Sequence, residues 1–276
     1  ALLDFDGAGL DLSMATNLAV DATGAKTHSV EGFLMGCTSL ERVTGIDAWG
    51  DTLHSIKDLF RGDVRLQELS GIEYWLNTTG ITDMSGAFWD TSSLTELSFL
   101  RNWNVSNVTD FSNMFNGAIG LASLNDIRVW DTSSAVNLSG MFANTKLVDV
   151  ELTPWNVNNV TNFSGMFRNC ADMATLNIST WNMEAATNLA NMFTGCKSLV
   201  TVVFGEHNVL AVTDGTTTTY TGFDDSLTDR NAYDGRWQLR GGVWYDGTQR
   251  LAERYTLGSQ LTGTLTYDWQ EDSPGG

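Results

Sequence analysis

The stretch WNVSNVTDFSNMF at 103–115 returns as WDTSSAVNLSGMF at 130–142, WNVNNVTNFSGMF at 155–167 and WNMEAATNLANMF at 181–193. Outward from it, tryptophans stand at 49, 75, 103, 130, 155 and 181, and phenylalanines at 33, 60, 88, 115, 142, 167 and 193, always 25 to 28 residues apart. A fixed period of this size marks a repeat architecture, in which no unit buries its apolar side alone and neighbours must stack. About six residues after the phenylalanines comes an apolar segment of the form L-x-x-L-x-L: LTELSF (94–99), LVDVEL (147–152), MATLNI (173–178) and LVTVVF (199–204). LERVTGI (40–46), LQELSGI (66–72) and LASLNDI (121–127) carry one extra residue before the last apolar position.

The alternation in L-x-x-L-x-L predicts one short strand per unit, with its last two apolar side chains on one face. In VTDFSNMFNG (108–117), Val108, Phe111, Met114 and Phe115 recur at helical spacing, Thr109 suits an N-cap and Gly117 a left-handed stop, so a helix of about two turns is expected there. The predicted fold is an α/β repeat solenoid: a leucine-rich-repeat-like stack of short parallel strands and short helices over 1–205, with a small β-rich cap over 206–276. The phase-locked tryptophans are read as core, and Asn104, Asp131, Asn156 and Asn182, which follow them, as side chains that satisfy backbone groups in a turn.

These strings resemble the BspA-like leucine-rich-repeat family of bacterial surface proteins, with its pattern W-[ND]-[VT]-S-[NS]-V-T-[DN]-[FM]-S-x-M-F followed by C-x-x-L-x-x-L. The match is specific from roughly 81 to 204 and weaker from 14 to 80, where Phe33, Phe60, Trp49 and Trp75 keep phase but the linker pattern has decayed. The resemblance implies an extracellular or cell-surface, non-catalytic module used for adhesion to host or neighbouring cells. The periodicity itself implies only stacking.

After Gly205 the Trp–Phe beat stops, and five of the six tyrosines lie beyond it. GTTTTYTG (215–222), YDGRWQL (233–239), VWYDG (243–247) and LTGTLTYDW (261–269) read as strands and turns, and TQRLAERY (248–255) as one short helix. An open stack exposes core and unpaired strand edges, so this segment is expected to cap it. Its aromatics Trp237, Trp244 and Tyr245 are candidate glycan contacts, with packing in the cap as the competing explanation. The ending DSPGG reads as a linker.

Thirty-three acidic residues against 15 basic ones give a net charge of −18, which excludes nucleic acid and anionic lipid as expected partners because the phosphate-neutralising side chains are missing. No run of apolar residues is long enough for membrane insertion as a helix. There is no G-x-S-x-G, no H-E-x-x-H and no phosphate-cradling glycine loop, and the three histidines are far apart in sequence, so the chain is read as non-enzymatic and without a cofactor. Calcium is the one ion considered, at Asp4 with Asp6 or Asp224 with Asp225, but neither pair has a loop with enough ligands, and no metal site is assigned. Asn-x-Ser/Thr strings such as NVT (107–109) follow from the repeat pattern itself. Cys170 and Cys196 sit one repeat apart, either bridged or as two buried thiols; Cys37 has no counterpart.

A ligand would meet the strand face, where outward residues of successive units form one array. Arg42, Glu68, Glu96, Asp149, Glu151 and Asn177 are the candidate binding residues, acidic toward the middle and suited to a basic or cation-bridged partner. The expected function is adhesion or binding of a surface protein or glycan. The alternative is a structural subunit of an extracellular filament, sheath or virion that works by self-association.

Overall fold

A computed structural model describes residues 4–7, 18–20, 26–47, 49, 53–76, 78–199, 201–205, 207–214, 217–222, 236–239, 244–246 and 263–266. Its strands are β1 (Asp4–Asp6), β2 (Leu18–Val20), β3 (Lys26–Ser29), β4 (Arg42–Thr44), β5 (Leu53–Ser55), β6 (Glu68–Leu69), β7 (Asp149–Glu151), β8 (Thr175–Asn177), β9 (Thr201–Phe204), β10 (Ala211–Asp214), β11 (Thr217–Tyr220), β12 (Arg236–Leu239), β13 (Trp244–Asp246) and β14 (Gly263–Thr266). Among the described residues there is no α-helix; the helical content is two 3-10 turns, Ile72–Tyr74 and Ser98–Asn102.

The segment expected as a two-turn helix is instead a ribbon of consecutive turns. The N–H groups of Phe111, Asn113, Phe115 and Gly117 donate to Asn137, Ser139, Met141 and Ala143 of the next repeat at 2.8–2.9 Å. The alternate N–H groups, of Met114, Asn116 and Ala118, close turns onto Phe111, Asn113 and Phe115 at 3.0–3.1 Å. A helix keeps its interior hydrogen bonds within itself; here every second donor links repeats, so the stack hydrogen-bonds along its length without strands. The geometry requires a left-handed residue on each side of the phenylalanine, Asn113 (φ 54) and Gly117 (φ 73). The equivalent pairs in all seven units have φ between 54 and 83 and are Gly, Asn or Asp, the types that tolerate that region. The four residues picked out by helical spacing are nevertheless core: Val108, Phe111, Met114 and Phe115 are fully buried.

Ahead of each ribbon, Ser55, Asp83, Asp110, Asn137, Asn162 and Asn188 form a row of parallel bridges from repeat to repeat. Each carboxyl or amide also accepts the N–H two residues on, as Ser85 to Asp83 (2.8 Å) and Ser164 to Asn162 (3.0 Å). Asn104, Asp131, Asn156 and Asn182 do the same after the tryptophans, at 2.9–3.1 Å.

Behind this face Phe60, Phe88, Phe115, Phe142, Phe167 and Phe193 stack with centroids 5.6–6.0 Å apart. In the first unit the register gives that position to Leu34, whose N–H donates to Leu59 as Phe60 does to Ala87. Leu34 is 3% exposed and Phe33, the residue assigned by the sequence period, is 47% exposed, packing edge-on against Phe5 and Trp49. The phase-locked tryptophans Trp49, Trp75, Trp103, Trp130, Trp155 and Trp181 are buried in one file. The indole N–H groups of Trp75, Trp130, Trp155 and Trp181 donate to Ile46, Leu100, Ile127 and Leu152 of the preceding repeat at 2.6–3.1 Å. Trp103 stacks on Trp75 (5.8 Å, 15°), and its N–H has no acceptor.

Strand formation follows the sequence spacing only in the later units. Where the last two apolar residues are two apart, as Val150 with Leu152 and Leu176 with Ile178, alternation is maintained and β7, β8 and β9 pair in parallel, residue 149 opposite 175 and 175 opposite 201. Where they are three apart the outcome varies: at 94–97 and 121–124 no strand forms and Leu100 and Ile127 donate back to Leu97 and Leu124 in a turn, whereas LERVTGI and LQELSGI still form β4 and β6. LTELSF therefore belongs with the longer units, since the inward residue is the fully buried Leu100 and not Phe99, which is only partly buried. β4 and β6 are short strands of the same longer type, and β1 pairs in parallel with β4.

Past Gly205, Asn208 takes the role of the tryptophan indole, donating from Nδ2 to Ile178 (3.1 Å) and Trp181 (3.0 Å). β10 and β11 form a hairpin, after which Thr221 accepts the Phe193 N–H, continuing the ribbon's bonding. β14 runs antiparallel along β9, with β12 and then β13 beyond it, so the edge of the parallel sheet is paired. The segment 248–255, expected as a helix, lies outside the described residues.

Candidate functional site

The strand face falls into two patches, separated by the strandless units at 94–97 and 121–124. In the first patch Arg42 stands opposite Glu68 in the β4–β6 register, and its Nη2 is 2.9 Å from Asp4 Oδ2. Glu68 and Glu96, from successive repeats, come together with Glu73 in a groove of about 390 Å³, completed by Gln67, Leu69, Ser98, Phe99 and Asn102. No cation lines it. Glu73 accepts the Gly71 N–H (2.8 Å), which leaves Glu96 and the outer oxygen of Glu68 facing solvent. Phe99 forms the apolar part of the groove and is held from behind by Phe88 and Trp103.

The second patch is built differently. Asp149 accepts the Thr175 hydroxyl (2.7 Å) and Glu151 the Asn177 amide (2.8 Å). Burial alone would raise the Glu151 carboxyl, but bonds from Thr153 and Asn177 and the charge of Arg128 hold it below its ordinary value. Asn177 also accepts the Ser179 N–H. Asp149, Glu151 and Asn177 thus knit repeats together, whereas Glu68 and Glu96 have free hydrogen-bonding capacity.

Glu73 and Phe99 were not assigned to the site from sequence. The signal for them is the extra residue before the last apolar position, which turns the chain outward there. Trp237 lies on β12, Trp244 and Tyr245 on β13, with Trp237 opposite Tyr245; their side chains are outside the described residues. The same holds for Asp224 and Asp225, while Asp4, the other calcium candidate with Asp6, is paired to Arg42. Among the described residues no three His, Cys, Asp or Glu side chains cluster as metal ligands, and no helix is long and apolar enough to cross a membrane. No disulfide joins the three cysteines among the described residues, and the buried Cys170 and Cys196 thiols donate to the carbonyls of Phe142 (3.0 Å) and Phe167 (3.1 Å) instead of bridging.

The family profile described as "Mycoplasma protein of unknown function, DUF285" matches residues 54–171 and 120–225, more than half of the chain. The chain belongs to this family. The DUF285 match takes in the acidic groove and continues past Gly205 into the β10–β11 hairpin. No curated protein matches. Among solved structures the DUF285 chain is similar to a leucine-rich repeat protein of T. pallidum, with 20% identity and a TM-score of 0.31, over 66% of this chain and 65% of that one. The chain therefore spans slightly less than two thirds of that protein's length.

Proposed function

We propose that this chain is a non-catalytic interaction module of a cell-surface protein, a solenoid that docks a cationic segment of a partner protein on its strand face. The groove of Glu68, Glu73, Glu96 and Phe99 supports this reading: three carboxylates with no lining cation surround a phenyl face. Lysine and arginine side chains suit such a surface, with the charge drawn to the carboxylates and the stem or guanidinium laid on the ring. The extracellular placement and the adhesive role rest on the resemblance of the repeat to bacterial surface proteins.

The test is binding of a short Arg-Ser repeat peptide to the whole chain by calorimetry at two salt concentrations. Glu68→Lys with Glu96→Lys is expected to weaken binding by at least about tenfold, because both charges reverse at the contact. Asp149→Lys with Glu151→Lys is expected to weaken it much less. Equal losses from both pairs would mean that only overall charge is read, and the groove would have no special role.

A further inference from the structure

On the turn ribbon, away from the strand face, the left-handed position before the phenylalanine carries Asn113, then Gly140, Gly165 and Asn191. Two successive glycines leave a gap two repeats wide between the amide side chains of Asn113 and Asn191. Asn113 leans over Gly140 from one side: a Cβ placed on Gly140 would run into its Oδ1. Over Gly165 the space is open, the nearest side-chain atom to such a Cβ being Arg168 Cβ at 3.7 Å. The result is a groove of about 390 Å³ lined by Asn113, Ser139, Ser164, Arg168, Asn188 and Asn191 around the two glycines.

The backbone of this groove is used in holding the register: Gly140 and Gly165 donate to Ser164 and Ala190 of the following repeats at 2.8–2.9 Å. Of the lining side chains, Asn113, Asn188 and Asn191 accept through their amide oxygens from the Asn116 amide, the Ala190 N–H and the Thr194 hydroxyl. The Ser139 and Ser164 hydroxyls and the Arg168 guanidinium have no hydrogen-bond or ionic partner among the described residues. Neutral donors and acceptors thus recur at the repeat rise, about 4.8 Å, which is close to the length of one pyranose ring. A single guanidinium stands among them, no aromatic side chain lines the groove, and Ala190 is its one apolar side chain.

We infer that this groove is a binding site for an acidic glycan, whose carboxylate pairs with Arg168 and whose hydroxyls meet Ser139, Ser164 and Asn191. A polyhydroxylated ligand matches a lining made of hydroxyls and amides, and one planar carboxylate matches one guanidinium fork. The site lies on a different face from the acidic groove and is independent of that reading.

Sialyllactose, a glucuronate-terminated disaccharide, lactose, an oligo-glutamate peptide and inorganic sulfate, titrated into the whole chain and followed by calorimetry and NMR, test the assignment. The two acidic sugars are expected to bind at least about tenfold more tightly than lactose. Arg168→Gln should bring them down to the lactose level. Gly165→Asn, a residue that the same position already carries at 113 and 191, should fill the groove and abolish sugar binding. Glu68→Lys with Glu96→Lys should leave sugar binding intact, which separates this site from the strand face. The inference is overturned if no sugar binds at millimolar concentration, if Gly165→Asn retains binding, or if sulfate or oligo-glutamate binds as tightly as the acidic sugars. Should Gly165→Asn fail to fold, the exposed Arg168→Gln decides alone.

Discussion

The turn ribbon and the strand face run the length of the same stack, but they differ in regularity. The ribbon is the same in unit after unit: alternate N–H groups link repeats, left-handed residues flank each buried phenylalanine, and Phe60 to Phe193 stack without a break. The strand face is present at β4 and β6, missing through two units and present again from β7 to β9. The ribbon therefore supplies the continuous bonding that holds the stack, which leaves the opposite face free to vary in length, charge and shape. That freedom is where the acidic groove arises.

Truncation on the two faces should break this comparison most sharply. Phe115→Ala, which opens a cavity between Phe88 and Phe142, is expected to cost about 3–5 kcal/mol in denaturant unfolding. Phe99→Ala on the strand face should cost less, about 1–2 kcal/mol, since the ring is only partly buried. Comparable losses would show that the ribbon is not the dominant support.

The tryptophans, which lie between the two faces, give a smaller contrast. Trp155→Phe removes the indole donor to the Ile127 carbonyl, whereas Trp103→Phe removes an N–H that has no acceptor. The first should cost about 1 kcal/mol more than the second.

A pH-dependent contrast sharpens the picture of the ribbon itself. Three residues after the ribbon phenylalanines Phe88 and Phe142, Thr91 and Thr145 donate their hydroxyls to the carbonyls of Phe88 and Phe142, both at 2.8 Å. Asp63 fills that position in the second unit, fully buried, with one oxygen accepting the Cys37 N–H (2.7 Å) and the other without a partner. Burial pushes its carboxyl up from 3.8 to about 7, against the lowering effect of the Cys37 and Gly36 N–H groups. The folded protein thus holds a proton that the unfolded chain releases near 3.8. The associated stability is complete below that pH and is lost as pH rises through about 7. Asp63→Thr should flatten this dependence and raise the unfolding midpoint above pH 7 by a few degrees. The net charge of −18 also favours lower pH through self-repulsion, so the difference between variant and parent, measured by circular dichroism from pH 4 to 8, is the readout.

Several layers were legible in the residues alone. The 25–28-residue beat placed the stack, the tryptophan file and the caps at Asn104, Asp131, Asn156 and Asn182, because a periodic core must be filled by periodic side chains. Helical spacing at Val108, Phe111, Met114 and Phe115 correctly marked buried side chains but not a helix. A turn with a left-handed residue every fourth position returns its side chains to one side much as a helix does, and the Gly, Asn and Asp at those positions were the available signal. Phe33 and Phe99 misled for a related reason: in each case an aromatic sits beside the true core residue, Leu34 or Leu100, and residue type cannot tell neighbours apart.

Among the candidate binding residues, the list from Arg42 to Asn177 held side chains of one chemistry in two different settings. By itself the sequence determined the repeat, its phase over most of the length and the acidity of one face, since these follow from which residues recur. Only the tertiary structure decided that Glu68 and Glu96 share an open groove while Asp149 and Glu151 are held by Thr175 and Asn177, and that two glycines open a polar groove beside Arg168. Those outcomes depend on which residue of the next repeat lies alongside, and the offset between repeats, 25 to 28 residues, is settled by packing and hydrogen bonds across the stack.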